Sequence, residues 1–517
     1  MKEFIKKNLI WIIIIGVIII GLGISTIVLG VKYNNLKNKE KESNDSNDSN
    51  VSNETNDSND SNDSNDSNVS NETNDSNDSN DSNESITNTD TDVEYNYDFY
   101  ITLGTMPTLY ATLNAYQNQN PNTYMWFFRG NTISKQYSAD FIHYFSTQSS
   151  TNANSKINYL EIRKKVKEIL IKNPASKFTL YCDDLRTQFI LDIFVAAGVE
   201  FEDLKVVLLS DGTGTYSNYA AITEDGYVAQ KEEWKNYLKN YINNRENDTY
   251  TQFSSSFNTQ AMNLQLYCFY VSSFSNVMFW IQHPDYLINT VSNTINKERF
   301  NMNIIKKDPK AIYNSLDSET NLAFQKVVLA NALVDSDTLT TLEDAVEYFD
   351  SKLKNRDKDV VLILGSSDNS LSEIQKSYLD QTLNFYTPTL DSEDNTKVKY
   401  KGIDYSITSG QSTVSIDGKD FTIGQIGVYL FFKGHPSYPA NTQLKQYFNE
   451  KGIVILPHRT PVETLFWMYT VKCGGYMSTS FLSTSEGQTE FFYGEVNGVV
   501  LTMKNLGFFN NAVTFNA

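Results

Sequence analysis

From Tyr95 to the C-terminus, short apolar runs of strand-forming residues alternate with stretches whose apolar residues recur at helical spacing. This alternation constrains the fold more than any other feature of the chain. Parallel strands need long crossovers, and helical crossovers cover the faces of the sheet, so the pattern predicts an α/β fold. "KFTLYC", Lys177 to Cys182, is followed by "DLRTQFILDIFVAAGV", whose helical pattern ends at Gly198. "LKVVLLS", the pair Asp211-Gly212 and the helical stretch "KEEWKNYLKNYINN" come next. A second series starts at "DVVLILG" and runs through the helix "SEIQKSYLDQTLNF" to the strand "VYLFF". It continues with the helix "TQLKQYFNE", the strand "IVIL" and a helix opening at Pro461. "KVKYKGIDYSI" and "TVSIDGKDFTI" read as β-hairpins inserted before "VYLFF". The expectation is two α/β domains, 95–280 and 281–517, facing each other across a cleft.

Two segments ahead of Tyr95 stand outside this pattern. "NLIWIIIIGVIIIGLGISTIVLGV", Asn8 to Val31, is an uncharged run of 24 residues, long enough to cross a bilayer as one helix. It is too long for the apolar region of a cleaved signal peptide, so it reads as a single-pass anchor (8–31). Lys2, Lys6 and Lys7 precede it, and Lys32, Lys37, Lys39 and Lys41 follow, a balance that barely orients it. Residues 32–94 are dominated by a three-residue Asn/Asp/Ser repeat with almost no apolar content, a composition that predicts a disordered linker. Residues 43–94 hold 15 acidic residues and no Lys or Arg, so only −4 of the formal −19 belongs to everything else. The folded part is therefore mildly acidic and has no basic stripe, which argues against a nucleic-acid partner. Three widely spaced cysteines, Cys182, Cys268 and Cys473, form neither a disulfide framework nor a zinc pattern and read as buried thiols.

In open α/β sheets ligands bind outside the carboxyl ends of the strands. Asp211 directly follows the strand "LKVVLLS" and stands beside Gly212. His435 directly follows "VYLFFKG", between Gly434 and Pro436. A glycine at each place lets the backbone turn and approach a ligand, although strand-end Asp-Gly is also ordinary turn chemistry. His283, in "FWIQHPDY", is the best decoy; His143 reads as a core or surface histidine, and His458 as a residue near the nucleotide pocket. Asp183-Asp184 resembles a metal pair, but Asp184 opens a helix, so capping explains one of the two carboxylates better. "DGTGT" lacks the third glycine of a dinucleotide fingerprint.

Taken in order, "LLSDGTGTY", "FFKGHP", "LPHRTPVETL" and "GGYMSTSFLS" resemble the motif series of bacterial CMP-sialic acid-dependent sialyltransferases of the Pasteurella and Photobacterium type. Weaker likeness runs from about Tyr97 to Ser483. The resemblance implies two Rossmann-like domains in the GT-B arrangement. It implies Asp211 as the general base on the acceptor hydroxyl and His435 beside the donor phosphate. It further implies Lys433, Gly434 and Pro436 along the donor, with Pro436 near the cytosine. Glu463 would hold the ribose, and Ser478 and Thr479 the phosphate. Partners would be a nucleotide sugar and a glycan acceptor, with no cofactor and no metal: histidine and hydroxyls can stabilise a departing phosphate without one.

The chain departs from that pattern at several places. Ser210 stands where a second acid is usual, Ser478-Thr479 replaces a serine pair, and Asn369 stands where a tryptophan is expected. The chain also ends soon after the last motif, without a long helical region returning to the first domain. A transferase for another CMP-activated acid sugar, or an inactive glycan-binding surface protein, are the alternatives. Cytosolic donor supply and unpaired cysteines point to a cytoplasm-facing catalytic domain, and the long acidic tether to the extracellular face as the alternative.

Overall fold

The computed structural model describes residues 96–517 apart from 131, 148–157, 185–189, 213–214, 217–218, 220–222, 252–273, 291–302, 337 and 367–369. The predicted anchor at 8–31 and linker at 32–94 lie outside the described residues, as do Cys268 and Asn369. Among the described residues no helix is long and apolar enough to cross a membrane.

The first sheet consists of β1 (Asn96–Thr102), β2 (Thr123–Phe127), β3 (Ile142–Tyr144), β4 (Lys177–Asp183), β5 (Leu204–Leu209), β6 (Val277–Ile281) and β7 (Ile304–Lys306). All pairs are parallel, in the order β3-β2-β1-β4-β5-β6-β7. Helices connecting β7 to the next strand include Pro309–Ser315, Ser318–Leu329, Ala332–Asp335 and Leu342–Leu353. The last opens with a capping box between Thr341 and Asp344. The second unit starts at β8 (Val360–Leu364) and the helix Glu373–Phe385. An excursion of short antiparallel strands follows: β9 (Thr389–Leu390), β10 (Lys397–Tyr400), β11 (Ile403–Ser406), β12 (Thr413–Ile416) and β13 (Lys419–Thr422). The chain then lays down β14 (Tyr429–Lys433), β15 (Val454–Ile455), β16 (Lys472–Tyr476), β17 (Thr489–Tyr493) and β18 (Val513–Phe515). The second sheet is also parallel, in the order β15-β14-β8-β16-β17-β18.

Both sheets start with an interior strand, grow to one side for two more strands, then reverse to the other. This is the doubly wound order, and each sheet has a switch point where the order reverses, between β1 and β4 and between β8 and β16. The expected boundary at residue 281 falls inside the first sheet, because β7 pairs with β6 at Phe279–Ile304 and Trp280–Ile305. The crossover between sheets comes later, through residues 309–353. The β7 run is three residues long and its preceding apolar pattern is weak, so it carries little strand signal.

Side chains alternate faces along the buried strands. Leu362, Leu364 and Phe431 join a large apolar cluster that continues through the connecting helices into the first sheet. Val361, Ile363, Leu430 and Phe432 join a separate cluster on the other face. Strands buried on both faces are why β8 reads as an unbroken apolar run. Cys182 and Cys473 are buried thiols, as expected.

The crossover after β4 contains a π-helical turn, Ile190–Val195, with Asp192 buried inside. Its carboxylate accepts hydrogen bonds from the Tyr241 and Thr251 hydroxyls, and Arg163 Nε donates to its backbone carbonyl at 2.7 Å. Burial pushes the Asp192 pKa up to about 7. The folded protein thus holds a proton that the unfolded chain releases near pH 4. That contribution to stability is complete below about pH 4 and is lost as pH rises through about 7. Thermal melts from pH 4 to 8 should therefore fall more steeply with pH for the wild-type protein than for Asp192→Asn; parallel curves would show that Asp192 does not titrate.

Candidate active site

The ends of both sheets open into one cleft of about 750 Å³. Asp211 and Gly212 line it from the first sheet. Lys433, Gly434, His435, Pro436, Glu463, Ser478 and Thr479 line it from the second. All eight residues singled out from the sequence are brought together there.

Asp211 leaves the end of β5, and Gly212 makes the turn with φ +82°, a region that glycine enters without strain. The Asp211 amide donates to Thr215 Oγ1 at 2.9 Å and to Asp184 Oδ1 at 3.3 Å. The carboxylate occupies space left by Gly104 at the end of β1, where an added Cβ would overlap Asp211 Oδ1. Asp183 acts elsewhere. Its carboxylate accepts from the amides of Leu103 and Gly104, at 2.6 and 2.8 Å, at the start of the helix Thr105–Asn118. Asp183 thus ties down the loop ahead of that helix, whose N-cap, Gly104, receives no side-chain cap bond; the capping expected where Asp184 opens a helix concerns residues 185–189, which lie outside the described residues. Asp184 is buried beside Asp211, and burial, then the charge of Asp211, push its pKa well up, which favours its neutral form. An acid just past the end of β4 thus approaches the Asp211 amide although position 210 is serine.

His435 follows β14 in a short turn closed by Tyr438 N donating to its carbonyl at 3.1 Å. Its Nδ1 accepts the amide of Ser437 at 3.1 Å. The neutral ring must then carry its proton on Nε2, as a donor. Burial and the nearby charges of Lys433 and Arg129 lower the His435 pKa and favour that neutral form. Lys433 is only 3 % exposed. Its Nζ donates to the carbonyls of Gly434 (2.7 Å) and His458 (2.6 Å), and burial pushes its pKa down to about 8.

Glu463 lies in the first turn of the helix Val462–Met468, 7 % exposed, and accepts from Ser480 Oγ at 2.6 Å. Ser480 is thereby committed to Glu463. Ser478 caps the short turn Thr479–Ser483 by accepting from Ser480 N at 3.2 Å, which leaves its own O–H to donate. The preceding glycines answer to packing: Gly475 has φ +129°, and a Cβ there would overlap Leu364 O on β8. Gly212 and Thr479 are near neighbours across the cleft, since a Cβ on Gly212 would sit 3.7 Å from that of Thr479.

Sequence reasoning missed Arg129, which lines the cleft from the loop after β2 and donates to Thr105 Oγ1 at 3.3 Å. Its place after the strand "TYMWF", beside Gly130, is the same signal that marked Asp211 and His435. Arg459 was missed as well. His283 lies outside the cleft lining: its Nε2 is 3.0 Å from Thr484 O, and burial pushes its pKa down to about 4. Phe508 packs on it at 4.5 Å and on Tyr286 at 5.1 Å between ring centroids. A short C-terminal segment thus makes the return contact with the first unit. His143, on β3, is exposed and packs at a tilt against Tyr124, and His458 contacts Asp335.

Two doubly wound parallel sheets sharing one cleft at their strand ends are consistent with the GT-B architecture. No family model matches the sequence, and no curated protein matches it. Among solved structures, the fold is similar to the α/β-galactoside α-2,3-sialyltransferase of the luminous marine bacterium Photobacterium phosphoreum. That match has a TM-score of 0.50 at 16 % identity and covers 81 % of this chain and 99 % of that one. It is also similar to a sialyltransferase from Photobacterium damsela, with a TM-score of 0.54 at 13 % identity over 81 % of each chain. At such identities the likeness speaks for the fold.

Proposed function

We propose that the protein is an inverting sialyltransferase that moves sialic acid from CMP-sialic acid to a glycan hydroxyl. The observation that carries this reading is the convergence of an acid from one sheet with a histidine and hydroxyls from the other in a single cleft. Asp211 takes the proton of the acceptor hydroxyl as its oxygen bonds to the anomeric carbon of the donor. The bond from that carbon to the phosphate oxygen breaks, and its electron pair leaves with CMP. His435 donates its Nε2–H to the departing phosphate, and the hydroxyls of Ser478 and Thr479 add hydrogen bonds. Glu463 is set to accept from the ribose hydroxyls.

The test is release of CMP from CMP-sialic acid by the purified protein, with and without a galactoside acceptor and with and without EDTA. Release that is stimulated by acceptor and unchanged by EDTA is expected. Absence of CMP release together with absence of CMP binding overturns the reading, and loss of activity in EDTA restored by Mg²⁺ or Mn²⁺ overturns the phosphate site as drawn.

A further inference from the structure

Asp335 ends the short helix Ala332–Asp335 in the crossover between the two sheets, and its side chain is 2 % exposed. One carboxylate oxygen, Oδ2, accepts the amide of Arg459 at 2.6 Å and lies 3.1 Å from His458 Nδ1. The other, Oδ1, lies 3.2 Å from Arg459 Nε. On the opposite side of this loop, the His458 carbonyl accepts from Lys433 Nζ. A segment carrying an arginine is thus pinned from both sides, and the arginine lines the cleft with its side chain 38 % exposed. Among the described residues, its terminal Nη1 and Nη2 have no hydrogen-bond partner.

We propose that Arg459, aimed by Asp335, reads the nucleobase end of the donor, donating through its terminal N–H groups to O2 and N3 of cytosine. The inference rests on the cleft being a CMP-sugar site. Three observations separate base from phosphate as the target. Asp335 neutralises the guanidinium, so the pair offers a planar donor fork without net charge, suited to neutral acceptors. The phosphate already has His435, Ser478 and Thr479 on the same cleft. Pro436 and Pro461 line that cleft with Arg459 and present apolar surface without an N–H, a fitting boundary for a flat ring. Uracil carries a hydrogen on N3 and cannot accept there, so the fork also discriminates between the two pyrimidines.

The test is calorimetric binding of CMP, UMP and cytidine to the full chain in detergent, with circular dichroism to verify folding. Arg459→Ala should weaken CMP and cytidine by the same factor, about 10-fold or more, and narrow the preference for CMP over UMP. Asp335→Asn should show the same loss, and the double variant no further loss, as expected of two groups acting as a unit. Weaker CMP binding with cytidine unchanged would make Arg459 a phosphate ligand and overturn the proposal, as would unchanged CMP binding. A wild-type protein that binds no CMP would instead fail the underlying reading. Wild-type affinity in Asp335→Asn would remove Asp335 from the arrangement.

Discussion

Asp211→Asn should lower the transfer rate by on the order of 10²-fold or more while CMP binds as it does to the wild-type protein. The asymmetry follows from where the residue sits. Asp211 comes from the first sheet, whereas Lys433, His435, Glu463, Ser478 and Thr479 all come from the second. On the proposed mechanism, removing the carboxylate charge takes away the proton acceptor and leaves the second-sheet wall of the cleft intact. The amide is nearly isosteric, and the backbone bonds from Asp211 N to Thr215 and Asp184 do not use the side chain. Rates of sialyl transfer and CMP titrations on the two proteins decide it. Near-wild-type transfer by the variant would take Asp211 out of the chemistry.

Gly104→Ala comes close to the same loss without touching a chemical group. The backbone of Gly104 has φ −77° and ψ 159°, extended values open to alanine, so the fold should accept the change with no backbone strain. The added methyl, however, falls on Asp211 Oδ1 and comes within 2.9 Å of Pro107 Cδ in the first turn of the next helix. The carboxylate must rotate away, and misplacing a reacting group by about 1 Å can cost 10²-fold in rate. We expect a drop of roughly 10- to 100-fold in turnover, unchanged CMP affinity and a cooperative melt only modestly lowered by the contact with Pro107. A fully active variant would mean that Asp211 works from another rotamer.

The α/β class and most strands were legible in the sequence, because strands buried on both faces show as unbroken apolar runs such as "VVLIL". The helix "TQLKQYFNE" matched the structure end to end, with the Asn441 side chain accepting from Leu444 N as its cap. What was not legible was pairing. β7 has three residues and becomes a strand through its partner β6, so the true boundary lies later than the apolar pattern suggests. Within the site, Asp211 and His435 could be found because each follows a strong strand and stands beside a glycine. Arg459 follows the two-residue strand β15 by several positions, and its partner Asp335 is 124 positions away in sequence. Local pattern carries no trace of such a pair. Asp184 illustrates the same limit: a reading along the chain finds serine ahead of Asp211, whereas the acid that approaches it arrives from the neighbouring strand.

The excursion β9–β13 has its own small core of Val398, Tyr400, Val414 and Ile416. Where it leaves and rejoins the second sheet, the chain is closed backbone to backbone: Gly427 N donates to Tyr386 O, and Gly424 N to Pro388 O, each at 2.8 Å. The two ends of the excursion are therefore neighbours whatever lies between them, and the closure entropy of the intervening loop grows only slowly with its length. The excursion also joins β14 at its amino end, whereas His435 follows its carboxyl end, a strand of five residues or roughly 17 Å away. Such a joint works as a socket: the module plugged into it can lengthen, shrink or change its outward face while the strand carrying His435 keeps its register.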